Sequence, residues 1–302
     1  MKGTVMRSTG SWYDVRGEDG NDYACRVRGR IRLEGIKETN PVAVGDRVEF
    51  DEGDNTITAI LPRNNHILRA AIKKSGYSNV LAANVDQVMI IATLAFPRTS
   101  LGFIDRVTVA AEAFRIPQLI VFNKADMLDD EGRERLAEYM GIYTPIGIRC
   151  FSLSALHDDI DALMELLKGK VTLFTGHSGV GKSTLLNRIA PDIGQKTGEV
   201  STFSGKGIHT TTFAEMFEVG PDTFVIDTPG IREWGLVDMT PEEISDYFPE
   251  MRERRLDCRF GPRCIHVHEP ACAIRAAVDS GDIAPSRYDS YVSMATGEDR
   301  KK

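Results

Sequence analysis

The residues with the most evident chemistry are Gly176-His177-Ser178-Gly179-Val180-Gly181-Lys182-Ser183, a complete G-x-x-x-x-G-K-S. Glycines at this spacing let backbone N–H groups converge on phosphate oxygens, and the N-terminus of the helix that follows adds its positive end. The apolar run Val171–Phe174 before the loop and the helical stretch Thr184–Ile189 after it supply the strand and helix that a P-loop needs. In such a loop Lys182 reaches the β- and γ-phosphates and Ser183 ligates Mg²⁺, while Thr184 completes the phosphate-binding run. His177 reads as shaping the loop rather than performing chemistry.

Asp227-Thr228-Pro229-Gly230 ends a second apolar strand, Phe224–Ile226. A carboxylate at the carboxyl end of a strand beside a P-loop is placed to coordinate Mg²⁺, and the Gly230 amide is placed to contact the γ-phosphate. Alone, such a turn is unremarkable; beside a P-loop it becomes a sensor of the terminal phosphate.

Asn123-Lys124-Ala125-Asp126 follows the strand Leu119–Phe122, and Ser152-Leu153-Ser154-Ala155 follows a strand ending at Phe151. An Asp126 carboxylate accepts from guanine N1–H and the exocyclic amine, groups that adenine lacks, so an adenine nucleotide would leave it unpaired. Asn123 reaches the other edge of the purine, and the backbone near Ser154-Ala155 donates to O6. The substrate implied is GTP with Mg²⁺, and the product GDP.

Cys258-x₅-Cys264-x-His266-x₅-Cys272 offers three thiolates and an imidazole, the ligand set of a closed structural zinc site. His268 competes with His266 by proximity. Five cysteines is an odd number, which argues against a disulfide framework and for metal ligation by the cluster.

Elements that position these groups follow from the patterning. The first sixty-odd residues alternate strand-forming stretches (Thr4–Val15, Asp22–Leu33, Asp46–Phe50, Thr56–Leu61) with turn residues, as in a five-stranded OB-fold barrel. Lys73–Ser78 has linker composition. From Val85 short apolar strands alternate with amphipathic helices, and Leu101, Ile104, Val107, Ala111 and Phe114 fall on one helical face. That is a doubly wound α/β domain. The expected division is a barrel at 1–66, a nucleotide-binding domain at 67–240 and a helical zinc-binding domain at 241–302.

A net charge of −7 argues against indiscriminate coating of nucleic acid but leaves room for local basic faces. Two candidates are Arg26-Val27-Arg28-Gly29-Arg30-Ile31-Arg32 and the set Arg252, Arg254, Arg255, Arg259 and Arg263, the latter equally readable as a solvated face. Trp12, Tyr13 and Tyr23 in the barrel are either base-stacking aromatics or core. Met1-Lys2-Gly3-Thr4-Val5 opens no signal peptide, and the most apolar run, Val88–Phe96, is too short to cross a bilayer. A cytoplasmic monomer without membrane association is expected.

The base-reading segments precede the P-loop, whereas ordinary GTPases have the reverse order. A barrel, then N-K-x-D before G-H-S-G-V-G-K-S and D-T-P-G, then a Cys/His cluster, resembles the ribosome small-subunit-dependent GTPase A family of bacteria over nearly the whole chain. The resemblance implies a late assembly factor of the 30S subunit, contacting 16S rRNA and proteins, whose GTP hydrolysis the subunit stimulates. It also implies RNA binding by the barrel. By the same resemblance Gly207-Ile208-His209-Thr210-Thr211-Thr212 is the switch segment, with Thr211 completing the Mg²⁺ sphere. Ile231 stands where many GTPases carry a water-orienting glutamine, so the isolated protein should turn over slowly. His209 is either its replacement in positioning water or a surface histidine. A rival reading is an rRNA-docking module that uses GTP as a switch and hydrolyses it incidentally.

Overall fold

The computed structural model describes residues 1–27, 41–70, 78–191, 214–228 and 239–298. Strands β1 (Lys2–Ser8), β2 (Tyr13–Gly17), β3 (Asp22–Val27), β4 (Arg47–Asp51) and β5 (Thr56–Ile60) pair in the order β1-β2-β3-β5-β4, and β4 returns to β1. This is the closed OB-like barrel read from the sequence. Val5, Tyr13, Val15, Cys25, Val48, Phe50 and Ile57 fill it. The stretch Thr4–Val15 is two strands rather than one. Gly10 at φ 86° and a 3.0 Å bond from Thr9 N–H to the Trp12 carbonyl reverse the chain between β1 and β2. Strand formers on both sides of the turn hid it.

A hairpin of β6 (His66–Ala70) and β7 (Ser78–Ala83) follows the barrel strands in the chain; of the stretch of linker composition only Ser78 is described, and it opens β7.

The second sheet contains β8 (Gln87–Ala92), β9 (Gln118–Phe122), β10 (Arg149–Ser152), β11 (Val171–Thr175), β12 (Glu215–Gly220) and β13 (Thr223–Asp227), ordered β10-β9-β8-β11-β13-β12. All neighbours are parallel except β12, which runs antiparallel to β13. Every residue of β8 is buried. Val88 and Ile90 face one core and Met89 and Ile91 the other, which is why the strand reads as a continuous apolar run. Helices α1 (Leu101–Ala113), α2 (Asp130–Tyr143), α3 (Asp161–Leu167) and α4 (Lys182–Ile189) cover the two faces. Ser100 caps α1 by accepting from the Phe103 N–H, and Ile104, Val107 and Ala111 are buried as their spacing predicts. Arg7 of β1 pairs with Glu215 of β12, so barrel and sheet join edge to edge.

The C-terminal unit comprises α5 (Pro241–Asp246), α6 (Pro249–Arg252), α7 (Ala273–Asp279) and α8 (Pro285–Thr296). Thr240 and Glu243 form a capping box at the start of α5. Helix α8 packs against α1, and the unit's apolar residues belong to the same core cluster as one face of the sheet.

Candidate nucleotide site and zinc cluster

Strand β11 lies at the centre of the sheet between β8 and β13, and the chain turns sharply at its carboxyl end. Gly176 has φ 154°, and a Cβ there would collide with the Ile91 carbonyl, so only glycine fits beside β8. Gly181, at φ 98°, caps α4, and a side chain on it would strike the Asn123 amide. Lys182 opens α4 and is buried; its Nζ donates to the carbonyls of Gly176 at 2.8 Å and His177 at 3.2 Å. Burial lowers its pKa, and the negative charge of Asp227 opposes that shift. Asp227 itself is buried at the end of β13, opposite Phe174 of β11, and Thr228 Oγ1 donates to the Phe174 carbonyl at 3.1 Å. The P-loop and the candidate metal-binding carboxylate therefore leave the carboxyl ends of adjacent parallel strands. The His177 ring packs on Phe103 of α1 with centroids 4.0 Å apart.

Strand β9 delivers Asn123 two strands away. Its Oδ1 accepts from the Ala155 N–H at 2.8 Å and its Nδ2 donates to the Val180 carbonyl at 2.8 Å. One buried amide thus ties the N-K-x-D turn to the S-x-S-A turn and to the P-loop. Lys124 adopts φ 63°, and its Nζ donates to the Phe96 carbonyl at 2.9 Å. Burial pulls its pKa down against the attraction of Asp126. Asp126 sits in a single 3₁₀ turn, Ala125–Met127, with its side chain 34% exposed.

Several residues at this site escaped the sequence reading. Asp158 accepts the Ser154 N–H at 2.7 Å, and Arg188 of α4 donates to the carbonyls of Ala155 at 3.1 Å and Asp158 at 2.6 Å. Both brace the S-x-S-A turn. An aspartate four residues after Ser154 was a signal for the first, because short carboxylates capture nearby backbone N–H groups. Phe96 and Leu156 are exposed apolar side chains, one beside Lys124 and one following Ala155. His209, Thr211, Gly230 and Ile231 lie outside the described residues.

The second cluster is complete. Ligand atoms of Cys258, Cys264, His266 and Cys272 all lie within 4.8 Å of one another, and all four residues are buried. Cys258 Sγ is 3.5 Å from His266 Nδ1 and 3.9 Å from Cys272 Sγ. Zn–S bonds of about 2.3 Å place tetrahedral ligands about 3.8 Å apart, so these donors fit a zinc ion. The imidazole in the cluster is that of His266, while His268 is exposed and outside it. The backbone around His266 is held on both sides. Tyr288 and Tyr291 hydroxyls donate to the carbonyls of His266 and Ile265 at 2.7 and 2.6 Å, and the Glu269 carboxylate accepts from the N–H groups of Ile265, Val267 and His268.

The arginines around the cluster divide. Arg252, Arg254 and Arg255 form ion pairs with Glu112, Asp282 and Asp246. Arg259 and Arg263 line an exposed groove with Phe260 and Glu269. In the barrel, Tyr13 is core and Tyr23 packs on Phe50, whereas Trp12 is 42% exposed with the Arg26 guanidinium 3.9 Å above its ring. Arg28, Arg30 and Arg32 lie outside the described residues.

A P-loop on a central parallel strand, N-K-x-D and S-x-S-A turns on two strands that precede it in the chain, and a D-T-P-G aspartate on the neighbouring strand that follows are the arrangement of a circularly permuted GTPase. The chain belongs to the RsgA GTPase family: the RsgA GTPase model matches residues 60–237, and the RsgA N-terminal domain model matches residues 2–60. "Small ribosomal subunit biogenesis GTPase RsgA" of Bacteroides fragilis is 48% identical over 306 aligned positions, covering 100% of this chain and 98% of that protein. The protein of the same name from Christiangramia forsetii is 45% identical, over 99% of this chain and 97% of that protein. Among solved structures, YjeQ from Thermotoga maritima superposes with a TM-score of 0.75 at 34% identity, covering 98% of this chain and 97% of that one. YloQ, described as a circularly permuted GTPase, gives 0.69 at 28% identity over 100% and 96% of the two chains. The chain is a GTPase, and no helix among its described residues is long and apolar enough to cross a membrane.

Proposed function

We propose that this GTPase acts in late maturation of the small ribosomal subunit, and that its hydrolysis is slow until the subunit engages it. The assembly role comes from the names of its relatives. The observation that carries the nucleotide reading is the Asn123 amide, bonded to Val180 and to Ala155, because it locks phosphate-side and base-side loops into one rigid site. Asp126 reads guanine, and O6 shares the Ala155 N–H with Asn123. Residues Gly176–Thr184 cradle the phosphates, with Lys182 drawn from its carbonyl contacts toward the β- and γ-oxygens.

Ser183, Asp227 and Thr211 would hold Mg²⁺, which neutralises charge on the phosphates when bound. Gly230 senses the γ-phosphate. Without a glutamine at Ile231, water positioning falls to His209 or to a ribosomal group, and that keeps the free enzyme slow. Cys258, Cys264, His266 and Cys272 would hold one zinc as a structural clamp with no open position for chemistry. We divide the chain at 1–66, 67–240 and 241–302. Contact with 16S rRNA falls to the exposed Trp12–Arg26 pair and to Arg259, Phe260 and Arg263, where guanidinium groups meet aromatic faces suited to RNA.

Sedimentation with purified small subunits tests this reading. The protein should pellet with the subunit in a non-hydrolysable GTP analogue and dissociate in GDP. Equal association in both nucleotides, or none in either, would overturn it.

A further inference from the structure

The guanine-reading carboxylate has a titratable neighbour. Nε2 of His157 lies 3.8 Å from Oδ2 of Asp126. The two residues come from different loops: Asp126 from the 3₁₀ turn after β9, and His157 from the turn that carries Ser154 and Ala155 after β10. That second turn is rigidly held. The His157 N–H donates to the Ser154 carbonyl at 3.2 Å, Asp158 Oδ2 takes the Ser154 N–H, and Arg188 bonds the carbonyls of Ala155 and Asp158. The imidazole is therefore presented beside Asp126 by a braced backbone, although its own side chain is 67% exposed.

The other charged groups around the pair are engaged elsewhere. Lys124, on the Asp126 turn, donates to the Phe96 carbonyl. Asp158 is bonded to Ser154, and Asp159 accepts the Asp161 N–H at 2.8 Å. Arg188, from α4, points its guanidinium at the two loop carbonyls.

We propose that His157 is a positioning residue for Asp126 that makes guanine capture sensitive to pH. This rests on Asp126 being the base-reading carboxylate. Neutral His157 leaves the carboxylate available to guanine N1–H and the exocyclic amine. Protonated His157 pairs with Asp126 while the site is empty, and the base must displace that pairing to bind. Guanine binding and protonation of His157 therefore oppose one another, and nucleotide affinity falls on acidification. An exposed ion pair is worth up to about 1 kcal/mol, which corresponds to a factor of about five in affinity.

The test is calorimetric affinity for GDP from pH 5.5 to 8.0, on the full-length wild type and on the His157→Gln, His157→Lys and Asp126→Asn variants. Titration of the terminal phosphate is common to all of them, so differences between profiles isolate the side chains. Wild type should lose about threefold to fivefold more affinity on acidification than H157Q. H157K, charged throughout, should bind about threefold to fivefold more weakly at pH 7.5 and lack the extra acid loss. Coincident wild-type and H157Q profiles would overturn the proposal. D126N reports on the underlying reading: it should lose guanine preference and gain xanthosine diphosphate, and retention of guanine preference would overturn the base-site assignment and the role of His157 with it.

Discussion

The Arg287 guanidinium in α8 donates to Asp105 Oδ1 in α1 at 2.7 Å, with both side chains almost wholly buried. The same arginine donates to Glu250 of α6 at 2.8 Å, and the Tyr143 hydroxyl donates to the same oxygen of Asp105 at 2.7 Å. This network fastens the C-terminal unit, with its Cys/His cluster, to the GTPase core. Asp105 lies two residues from Phe103, whose ring packs on His177 of the P-loop. One helix therefore touches the phosphate loop at one position and the C-terminal unit at the other. This is a route between them separate from the chain that follows Asp227.

Replacing Arg287 with Met should destabilise the protein by about 3–5 kcal/mol, because it leaves Asp105 and Glu250 buried without their cation. Adding Asp105→Asn to that variant should recover part of the loss. Urea denaturation of the single and double variants checks both statements, and a single-variant cost below about 1 kcal/mol would contradict them.

The Asn123→Ala variant should weaken GDP binding at least about tenfold and lower the unfolding free energy by about 1–3 kcal/mol. It leaves the buried Val180 carbonyl and Ala155 N–H unpaired and releases three loops from one another. Calorimetry for binding and thermal melting of the nucleotide-free protein give the two readings.

These two sites differ in how far the sequence reveals them. The P-loop is legible because eight contiguous residues carry their own backbone requirements, and Gly176 and Gly181 meet them with φ of 154° and 98°. The Cys/His cluster is legible because the donor set is chemically distinctive at short spacing. Asn123 is recognisable as a base-site residue, but its bond to Val180 joins positions 57 apart in sequence, and no local pattern encodes that. Arg287 and Asp105 are 182 positions apart, and each reads locally as an ordinary surface charge on a helix. The β1–β2 turn did carry a signal, the cluster Ser8-Thr9-Gly10-Ser11, but strand formers on both sides of it let the stretch read as one strand.

Metal analysis of the purified protein should find one zinc per chain, and Cys264→Ser should lower that content. Loss of the metal should also lower the thermal midpoint of the whole protein, because the cysteines share a core with α1 and α8. Unchanged metal content in the variant would remove Cys264 from the ligand set.

His66 is half-buried against Phe114, and burial with the nearby Arg63 lowers its pKa below the ordinary histidine value. The folded state thus binds this proton more weakly than the unfolded chain does. Its contribution to stability is present above the ordinary histidine pKa and is lost as pH falls through the lowered one. Between pH 7.5 and 5.5 the wild type should lose more unfolding free energy than His66→Phe, measured by urea titration at each pH. Equal losses would contradict the assignment.

Single-turnover GTP hydrolysis with and without purified small ribosomal subunits tests the central claim most directly. The account predicts slow turnover by the free protein and an acceleration of at least about tenfold at saturating subunit, abolished by Asp227→Asn. Equal rates with and without the subunit would contradict it, and would leave a nucleotide-switched docking protein in its place.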